Sequence, residues 1–227
     1  MTLPVDLIIF DCDGVLIDSE RVGCVIDARE LSAHGHAITP HMIAERFVGI
    51  AYADMYRMLE AETGIVLPPG YAERTHEKVL AACAELGLDL TVPGIHAALD
   101  ALDGRRKCVA SSSSPARLYR TLTQVGLWDR FAPHVFSADE VARAKPAPDL
   151  FLHAAARMEV EPARCLVIED SVPGVTGAAA AGMRVIGFTG TAGDPMRQEA
   201  RLRAAGAGWV LGDMSGVVGM VGVAREL

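Results

Sequence analysis

Short apolar runs of strand length alternate with longer segments of helical periodicity over most of the chain, and this alternation constrains the fold more than any other feature. The pattern is typical of a parallel sheet whose strands are connected by helices that cover it. The sequence therefore predicts an α/β fold with a Rossmann-like, three-layer core built on a parallel sheet. With 51% apolar and 22% charged residues, the chain can bury a sizeable core.

The strands of this core are predicted at the short apolar runs. They are Val5–Phe10, Lys107–Ala110, His134–Ser137, Cys165–Ile168, Arg184–Phe188 and Trp209–Leu211. The helices of the core are predicted at Pro115–Val125, Pro148–Met158, Pro173–Ala181, Pro195–Ala205 and Gly216–Arg225. Most of them begin at a proline, which the first helical turn tolerates because proline lacks the N–H that would have no partner there.

The alternation of strand-length and helical segments is interrupted between the first strand and Val92, where residues 19–89 show helical periodicity and no convincing strand. Glycines and prolines divide this stretch into amphipathic segments. These segments are Ala28–Leu31, Met42–Phe47, Met55–Ala61 and Glu77–Leu86. We therefore expect an all-helical domain at 19–89, inserted into a core formed by residues 1–18 and 90–227.

Charge and hydropathy argue against two classes of partner, nucleic acids and membranes. The chain has 21 Lys and Arg against 29 Asp and Glu, a net charge of −8, and its basic residues form no stripe, so we expect no nucleic-acid partner. No apolar run approaches the roughly 18 residues of a membrane span, so we expect no membrane partner.

The five scattered cysteines are typical of reduced thiols. Because the first residues also lack the positive charge of a signal peptide, we expect a cytoplasmic location.

Polar groups suited to phosphate chemistry follow three of the predicted strands. These groups are Asp11-Cys-Asp13-Gly14, Ser111–Ser114 and Glu169-Asp170. Because ligands of open parallel sheets bind outside the carboxyl ends of the strands, we expect the three groups to converge. Lys145, in the loop after the strand His134–Ser137, would join them.

Several carboxylates packed together repel one another and raise each other's pKa, so this convergence needs a compensating cation. Mg²⁺ prefers oxygen ligands and usually keeps waters and a substrate phosphate among them. We therefore predict a Mg²⁺ site formed by Asp11, the main-chain carbonyl of Asp13, and Asp170. The cation would also reduce the repulsion between a carboxylate and an incoming phosphate.

The first group contains the residues for covalent phosphoryl transfer. Asp11 is predicted to attack phosphorus in line and to form an aspartyl-phosphate. Asp13, two residues later, would protonate the leaving oxygen and then activate water. Gly14 would allow the sharp turn that folds the Asp13 side chain back toward the substrate.

The other groups would hold the phosphate. Ser111, together with the backbone of Ser112, is predicted to bind phosphoryl oxygens, and Lys145 is predicted to stabilise the transition state. Simpler interpretations remain open. Ser111–Ser114 can cap the helix that follows, and Glu169-Asp170 can cap the helix near Pro173.

Four segments of this chain resemble, in order and spacing, the four motifs of haloacid dehalogenase-like hydrolases. The segments are Asp11-Cys-Asp-Gly-Val-Leu-Ile-Asp18, Ser111, Lys145-Pro-Ala-Pro-Asp149, and Glu169-Asp-Ser171 followed by Gly174. The resemblance covers the whole chain and includes the helical cap that this family inserts after its first motif. It is closest to the branch of sugar-phosphate phosphatases and β-phosphoglucomutase.

The resemblance implies a Mg²⁺-dependent phosphatase that acts on a small phosphorylated metabolite, such as a sugar, a polyol or a sugar acid like 6-phosphogluconate. It implies the roles given above for Asp11, Asp13, Ser111 and Lys145, and it places Glu169 and Asp170 at Mg²⁺, with Glu169 binding directly or through water. It also implies a mobile cap that excludes water. We expect a monomer or a weak homodimer.

Within the cap, the stretch Glu45–Ile50 looks like the substrate-specificity loop of the family. Its residues Arg46 and Gly49 are therefore candidates for substrate contacts, as is Arg74. Gly23 stands where β-phosphoglucomutase has a histidine, which favours attack by water over mutase chemistry. The alternatives are a phosphomutase, a 2-phosphoglycolate phosphatase, a phospho-accepting receiver module and a scaffold without turnover.

Overall fold

The computed structural model describes residues 5–18, 20–47, 52–85 and 89–223. The chain divides into two compact units, one formed by Met1–Asp18 with Thr91–Leu227 and the other by Ser19–Leu90. Each unit has its own hydrophobic core. Within the described ranges, no helix is long and apolar enough to cross a membrane.

The unit Ser19–Leu90 is helical, and no strand occurs in the part of it that the structure describes. Its helices are α1 (Glu20–Ala33), α2 (Pro40–Phe47), α3 (Tyr52–Thr63) and α4 (Tyr71–Glu85). Each predicted helical segment lies in one of these helices as far as the structure describes it, Leu86 being outside the described residues, but every helix is longer than the apolar pattern indicates. The insertion is thus built from longer helices than the sequence predicts.

The core of this helical unit receives apolar side chains from all its helices, among them Leu31 of α1, Ile43 of α2 and Leu59 of α3. One acid is buried with them. The Asp27 carboxylate is 1% exposed, and its Oδ1 accepts a hydrogen bond of 2.8 Å from the Tyr56 hydroxyl. The buried face of α1 is therefore not purely apolar.

The other unit contains a parallel sheet of six strands in the order β3-β2-β1-β4-β5-β6. The strands are β1 (Leu7–Phe10), β2 (Lys107–Ser111), β3 (Val135–Ser137), β4 (Cys165–Glu169), β5 (Arg184–Phe188) and β6 (Trp209–Leu211). The predicted parallel-sheet fold is confirmed. Two strand ends differ from the prediction in a way that matters, since Ser111 and Glu169 are the last residues of β2 and β4 rather than the first residues after them.

The helices of this unit are α5 (Ile95–Ala101), α6 (Pro115–Gln124), α7 (Trp128–Phe131), α8 (Asp149–Arg157), α9 (Val172–Ala180), α10 (Pro195–Ala205) and α11 (Met214–Val223). Two of them, α5 and α7, were not predicted from the sequence. Both are shorter than the window in which helical periodicity can be recognised. The remaining helices begin and end within two residues of their predicted bounds.

β1 lies in the middle of the sheet, and its four residues are fully buried. Leu7 and Ile9 belong to the main core cluster, which also includes Leu150 of α8 and Leu202 of α10. Phe10 makes an edge-to-face contact of 5.7 Å between ring centroids with Phe131 of α7. Because successive side chains of a strand point to opposite faces, β1 is covered on both sides, as a central parallel strand must be.

The contribution of this core can be tested on α8, where two leucines two positions apart differ in burial. Leu150 is fully buried and Leu152 is 40% exposed. We expect Leu150→Ala to lower the free energy of unfolding by about 2–5 kcal/mol, because it removes buried contacts and leaves a cavity. Leu152→Ala should cost about 0.5 kcal/mol or less. Urea unfolding followed by circular dichroism measures both, and equal losses would contradict this assignment of the core.

Candidate active site

The chain turns sharply directly after β1, and this turn brings two acids together with the end of the sheet. Gly14 has a φ of 86°, in the left-handed region that favours glycine. Its N–H donates to the Ile17 carbonyl at 2.7 Å, and its own carbonyl accepts from the Thr191 hydroxyl at 3.0 Å. The turn predicted at Gly14 is therefore present and held at both of its backbone polar groups.

The Asp170 carboxylate occupies the space that a side chain at position 14 would need. A Cβ built on Gly14 would lie 2.1 Å from Oδ2 of Asp170, the residue that follows β4. No side chain larger than hydrogen fits there unless the Asp170 carboxylate moves. The absence of a side chain at Gly14 thus allows the loop after β1 to approach the loop after β4.

Lys145 connects three of the predicted segments. Its ammonium group donates to Oδ1 of Asp11 at 2.6 Å, to Oε2 of Glu169 at 2.7 Å and to the Ala110 carbonyl at 3.0 Å. The side chains of Lys145, Asp11 and Glu169 are 4%, 9% and 1% exposed. The ends of β1, β2 and β4 therefore meet at one buried ammonium group, as expected from the parallel sheet.

Glu169 is fixed on its other side by the start of α9. Its Oε1 accepts from the backbone N–H and the hydroxyl of Ser171, at 3.2 and 2.7 Å. A Cβ on Gly174 would lie 2.0 Å from the Glu169 carboxyl carbon, so the helix start forms a cradle for this carboxylate. Ser171, rather than Glu169 or Asp170, caps α9 by accepting from the Gly174 N–H. The side chain at the N-cap of α9 is thus that of Ser171, and Glu169 reaches the helix start through Ser171.

The electrostatics of this cluster favour a further cation. Burial and the neighbouring Glu169 raise the pKa of Asp11, although the Lys145 ammonium opposes this. Burial disfavours the charged form of Lys145, but the two carboxylates outweigh it and raise the pKa of the ammonium group. One ammonium group is thus shared by two buried carboxylates, and negative charge is in excess.

A metal ion fits this excess. Oxygens of Asp11, Glu169 and Asp170 lie within 4.8 Å of one another, and they form a donor set of carboxylate oxygens alone. Hard divalent cations such as Mg²⁺ prefer this chemistry. These residues therefore suit a divalent cation, whereas the main-chain carbonyl of Asp13 as a further ligand stays a prediction.

Asp13 is held by Ser113 and Arg117, two residues to which the sequence pattern gave no individual role. Its Oδ2 accepts from the Ser113 hydroxyl at 2.9 Å, and its Oδ1 lies 3.6 Å from Nη2 of Arg117. Its side chain is 37% exposed. Arg117 lies in the first turn of α6, where the helix dipole disfavours a cation, and this unusual position is the signal that could have identified it.

The serines after β2 have different environments. Ser111 is 1% exposed, and its hydroxyl accepts from the Ser113 N–H at 3.1 Å. Ser112 is exposed. Ser114 stands at the N-cap of α6, but its side chain makes no capping hydrogen bond. Ser137, the last residue of β3, donates its hydroxyl to the Ser113 carbonyl at 2.8 Å, so the ends of two strands fix the serine that contacts Asp13.

The predicted substrate residues of the insertion have partners within the helical unit. The Arg46 guanidinium on α2 donates to both carboxylate oxygens of Glu62 on α3, at 2.7 and 2.6 Å. Nη1 of Arg74 donates to the Pro69 carbonyl at 2.6 Å. Gly49 lies outside the described residues. The roles of these residues toward a substrate stay predictions.

The chain is similar in sequence to a known phosphatase and in structure to solved haloacid dehalogenase-like proteins. The chain is 28% identical to the 6-phosphogluconate phosphatase of Escherichia coli (strain K12) over 184 residues, which are 81% of this chain and 82% of that protein. A haloacid dehalogenase-like protein from Agrobacterium tumefaciens str. C58 superposes with a TM-score of 0.79 at 40% identity, covering 97% of this chain and 99% of that chain.

A hydrolase of the same kind from Deinococcus radiodurans R1, solved with bound phosphate and sodium, superposes with a TM-score of 0.78 at 29% identity, covering 99% of this chain and 98% of that chain. The family model described as haloacid dehalogenase-like hydrolase matches residues 5–182, which contain all four motifs. These matches agree with the buried cluster at the carboxyl ends of β1, β2 and β4, and the chain belongs to the haloacid dehalogenase-like hydrolase family.

Proposed function

We propose that this protein is a Mg²⁺-dependent phosphatase that hydrolyses a small phosphorylated metabolite through an aspartyl-phosphate on Asp11. The observation that carries the proposal is the position of the Asp11 carboxylate. It lies directly after the central strand, is almost fully buried, and is hydrogen-bonded to Lys145. A nucleophile in such a site is shielded from water and faces the edge of the sheet where parallel α/β proteins bind ligands.

The first step is attack of an Asp11 carboxylate oxygen on phosphorus, with cleavage of the bond between phosphorus and the leaving oxygen. Burial raises the pKa of Asp11, and the hydrogen bond from Lys145 counteracts this by favouring the ionised, nucleophilic form. Lys145 also brings positive charge to the point where the transferred phosphoryl group develops negative charge. One side chain thus serves both the nucleophile and the transition state.

Asp13 is the acid and base of the proposed reaction. It gives its proton to the leaving oxygen in the first step and takes a proton from the water that attacks the aspartyl-phosphate in the second. The water oxygen bonds to phosphorus, the bond between phosphorus and Asp11 breaks, and phosphate leaves. Ser113 and Arg117 contact the two oxygens of Asp13 and orient the carboxyl group for these transfers.

The carboxylates of Asp11, Glu169 and Asp170, together with the predicted carbonyl of Asp13, would hold Mg²⁺. When bound, the cation supplies positive charge that offsets the repulsion between the carboxylates and a phosphate dianion. The Glu169 carboxylate also accepts hydrogen bonds from Lys145 and Ser171, so in this proposal it positions the lysine as well.

The proposed substrate is a sugar, polyol or sugar-acid phosphate. Support comes from the similarity to 6-phosphogluconate phosphatase. In the helical unit, Arg46 and Gly49 are proposed to contact the part of the substrate beyond the phosphate. An acidic substrate would have to compete with Glu62 for the Arg46 guanidinium, because that carboxylate already accepts two of its hydrogen bonds. Gly23, which lies in α1, offers no side chain for the mutase alternative.

The reaction is tested by measuring phosphate release from a panel of phosphorylated sugars, polyols, sugar acids and glycolate. We expect Asp11→Asn to lower the turnover of the best substrate by a factor on the order of 10³ or more, because the amide is no nucleophile. Asp103→Asn, at an exposed position, is the matched control and should retain activity. Chelation should abolish activity and added Mg²⁺ should restore it. Near-native turnover by Asp11→Asn would reject Asp11 as the nucleophile.

The contact between Gly14 and Asp170 is tested by Gly14→Ala, with Gly104→Ala as its control. Both glycines have a positive φ, but only Gly14 has a neighbour where the new methyl group would stand. Both variants should lose about 1–2 kcal/mol of stability from the backbone conformation. Only Gly14→Ala should also need more Mg²⁺ for half-maximal activity, because it displaces Asp170. The same Mg²⁺ requirement in both variants would show that Asp170 is not a ligand.

The role of Ser113 is tested by Ser113→Ala. Loss of one hydrogen bond to Asp13 should lower kcat by about threefold to tenfold with little change in KM, and it should alter the pH profile of kcat. Ser114→Ala, in the same loop but without a side-chain capping bond, is the control. If both variants leave the pH profile unchanged, Ser113 does not position the acid.

A further inference from the structure

Five basic side chains surround a cavity of about 410 Å³ in the sheet-containing unit. They are Arg105, Arg106, Lys107, Arg130 and Arg157, and one carboxylate, Glu159, stands among them. We name this cavity the basic pocket. Arg105, Arg106 and Lys107 are consecutive, whereas the other two come from distant parts of the sequence, so only the fold brings all five together.

The basic pocket lies at the opposite end of the sheet from the catalytic cluster. Lys107 is the first residue of β2, whereas Ser111, beside the cluster, is its last residue. Arg157 ends α8, and Arg130 lies in α7, directly before the segment that leads into β3. The amino ends of parallel strands share one edge, so the pocket and the active site occupy opposite edges of one sheet.

The charge of the pocket is unusual for this protein. The whole chain has a net charge of −8, yet the pocket lining has five cations and one carboxylate. Arg130 is paired with Asp100 at 2.8 Å, but this pair is solvent-exposed and only modestly stabilising. Cations held together around a concave surface repel one another, and a bound anion would relieve this repulsion.

Two of the guanidinium groups are oriented by backbone carbonyls. Nη2 of Arg106 donates to the Met158 carbonyl, and Nη2 of Arg105 donates to the Val5 carbonyl at 2.8 Å. A carbonyl accepts a hydrogen bond without cancelling the charge of the donor. Arg106 is therefore fixed in place while it keeps its positive charge, which lowers the entropy that a ligand would have to offset.

We propose that the basic pocket binds a compact polyphosphate anion, that is, two or three linked phosphates. Guanidinium groups bind phosphate oxygens through paired hydrogen bonds, and linked phosphates carry more charge into this volume than a single phosphate does. The cavity has the size of a small-molecule site. A long nucleic acid fits poorly, because the net negative charge of the rest of the chain would repel it.

The binding is tested by calorimetric titration of the full chain with inorganic pyrophosphate and triphosphate, with a chelator present so that metal does not support binding at the active site. The pocket variant is Lys107→Gln with Arg157→Gln. The control is Arg29→Gln with Arg197→Gln, which removes the same charge from exposed positions elsewhere. We expect the pocket variant to bind pyrophosphate about tenfold more weakly or worse, and the control to bind like the native chain.

Two further measurements locate the binding site and show whether the ligand is an inorganic polyphosphate or a nucleotide. Asp11→Asn should retain pyrophosphate binding, which separates the pocket from the proposed catalytic site and keeps the two proposals independent. A nucleoside triphosphate that binds like inorganic triphosphate would indicate recognition of the phosphate chain alone, and tighter binding would indicate a nucleotide. The proposal is overturned if the native chain binds neither anion at matched ionic strength, or if the folded pocket variant binds as tightly as the control.

Discussion

The structure of the active site depends on one buried ammonium group that two buried carboxylates share. Lys145, Asp11 and Glu169 come from three segments that are distant in sequence, and each is less than a tenth exposed. Removing Lys145 would leave two buried carboxylates without a counter-charge in a medium that solvates them poorly. The ion group therefore ties together the ends of β1 and β4 and the loop before α8. It also leaves an excess of negative charge, which makes the same place suitable for a cation.

The position of this group follows from features that are readable in the sequence. Short apolar runs such as Val5–Phe10 have the length of strands, and their alternation with helices implies a parallel sheet. In such a sheet the carboxyl ends of neighbouring strands meet, so Asp11 and Asp170 could be placed together without coordinates. The hydroxyl that contacts Asp13 could not be predicted, because this contact depends on where β2 ends, and the one sign of the arginine was its place in the first turn of α6.

The helical unit shows the limit of reading structure from periodicity. In α1 the buried face includes Asp27, and in α4 it includes Thr75 and His76. Polar residues on a buried face interrupt the apolar spacing by which a helix is recognised, so the sequence indicated only fragments of both helices. Hydrogen bonds such as that between Asp27 and Tyr56 stabilise polar residues inside the unit. Such bonds require tertiary contacts, which no local sequence pattern contains.

A parallel sheet also separates charge, because all its strands begin at one edge and end at the other. Here the carboxyl edge holds Asp11, Glu169 and Asp170, and the amino edge holds Arg106 and Lys107. An acidic edge can receive a phosphate only with the help of a cation, whereas a basic edge can receive one directly. The two edges therefore suit the same class of ligand by opposite means. Because the two groups stand at opposite ends of strands such as β2 (Lys107–Ser111), they differ in charge without pairing with each other.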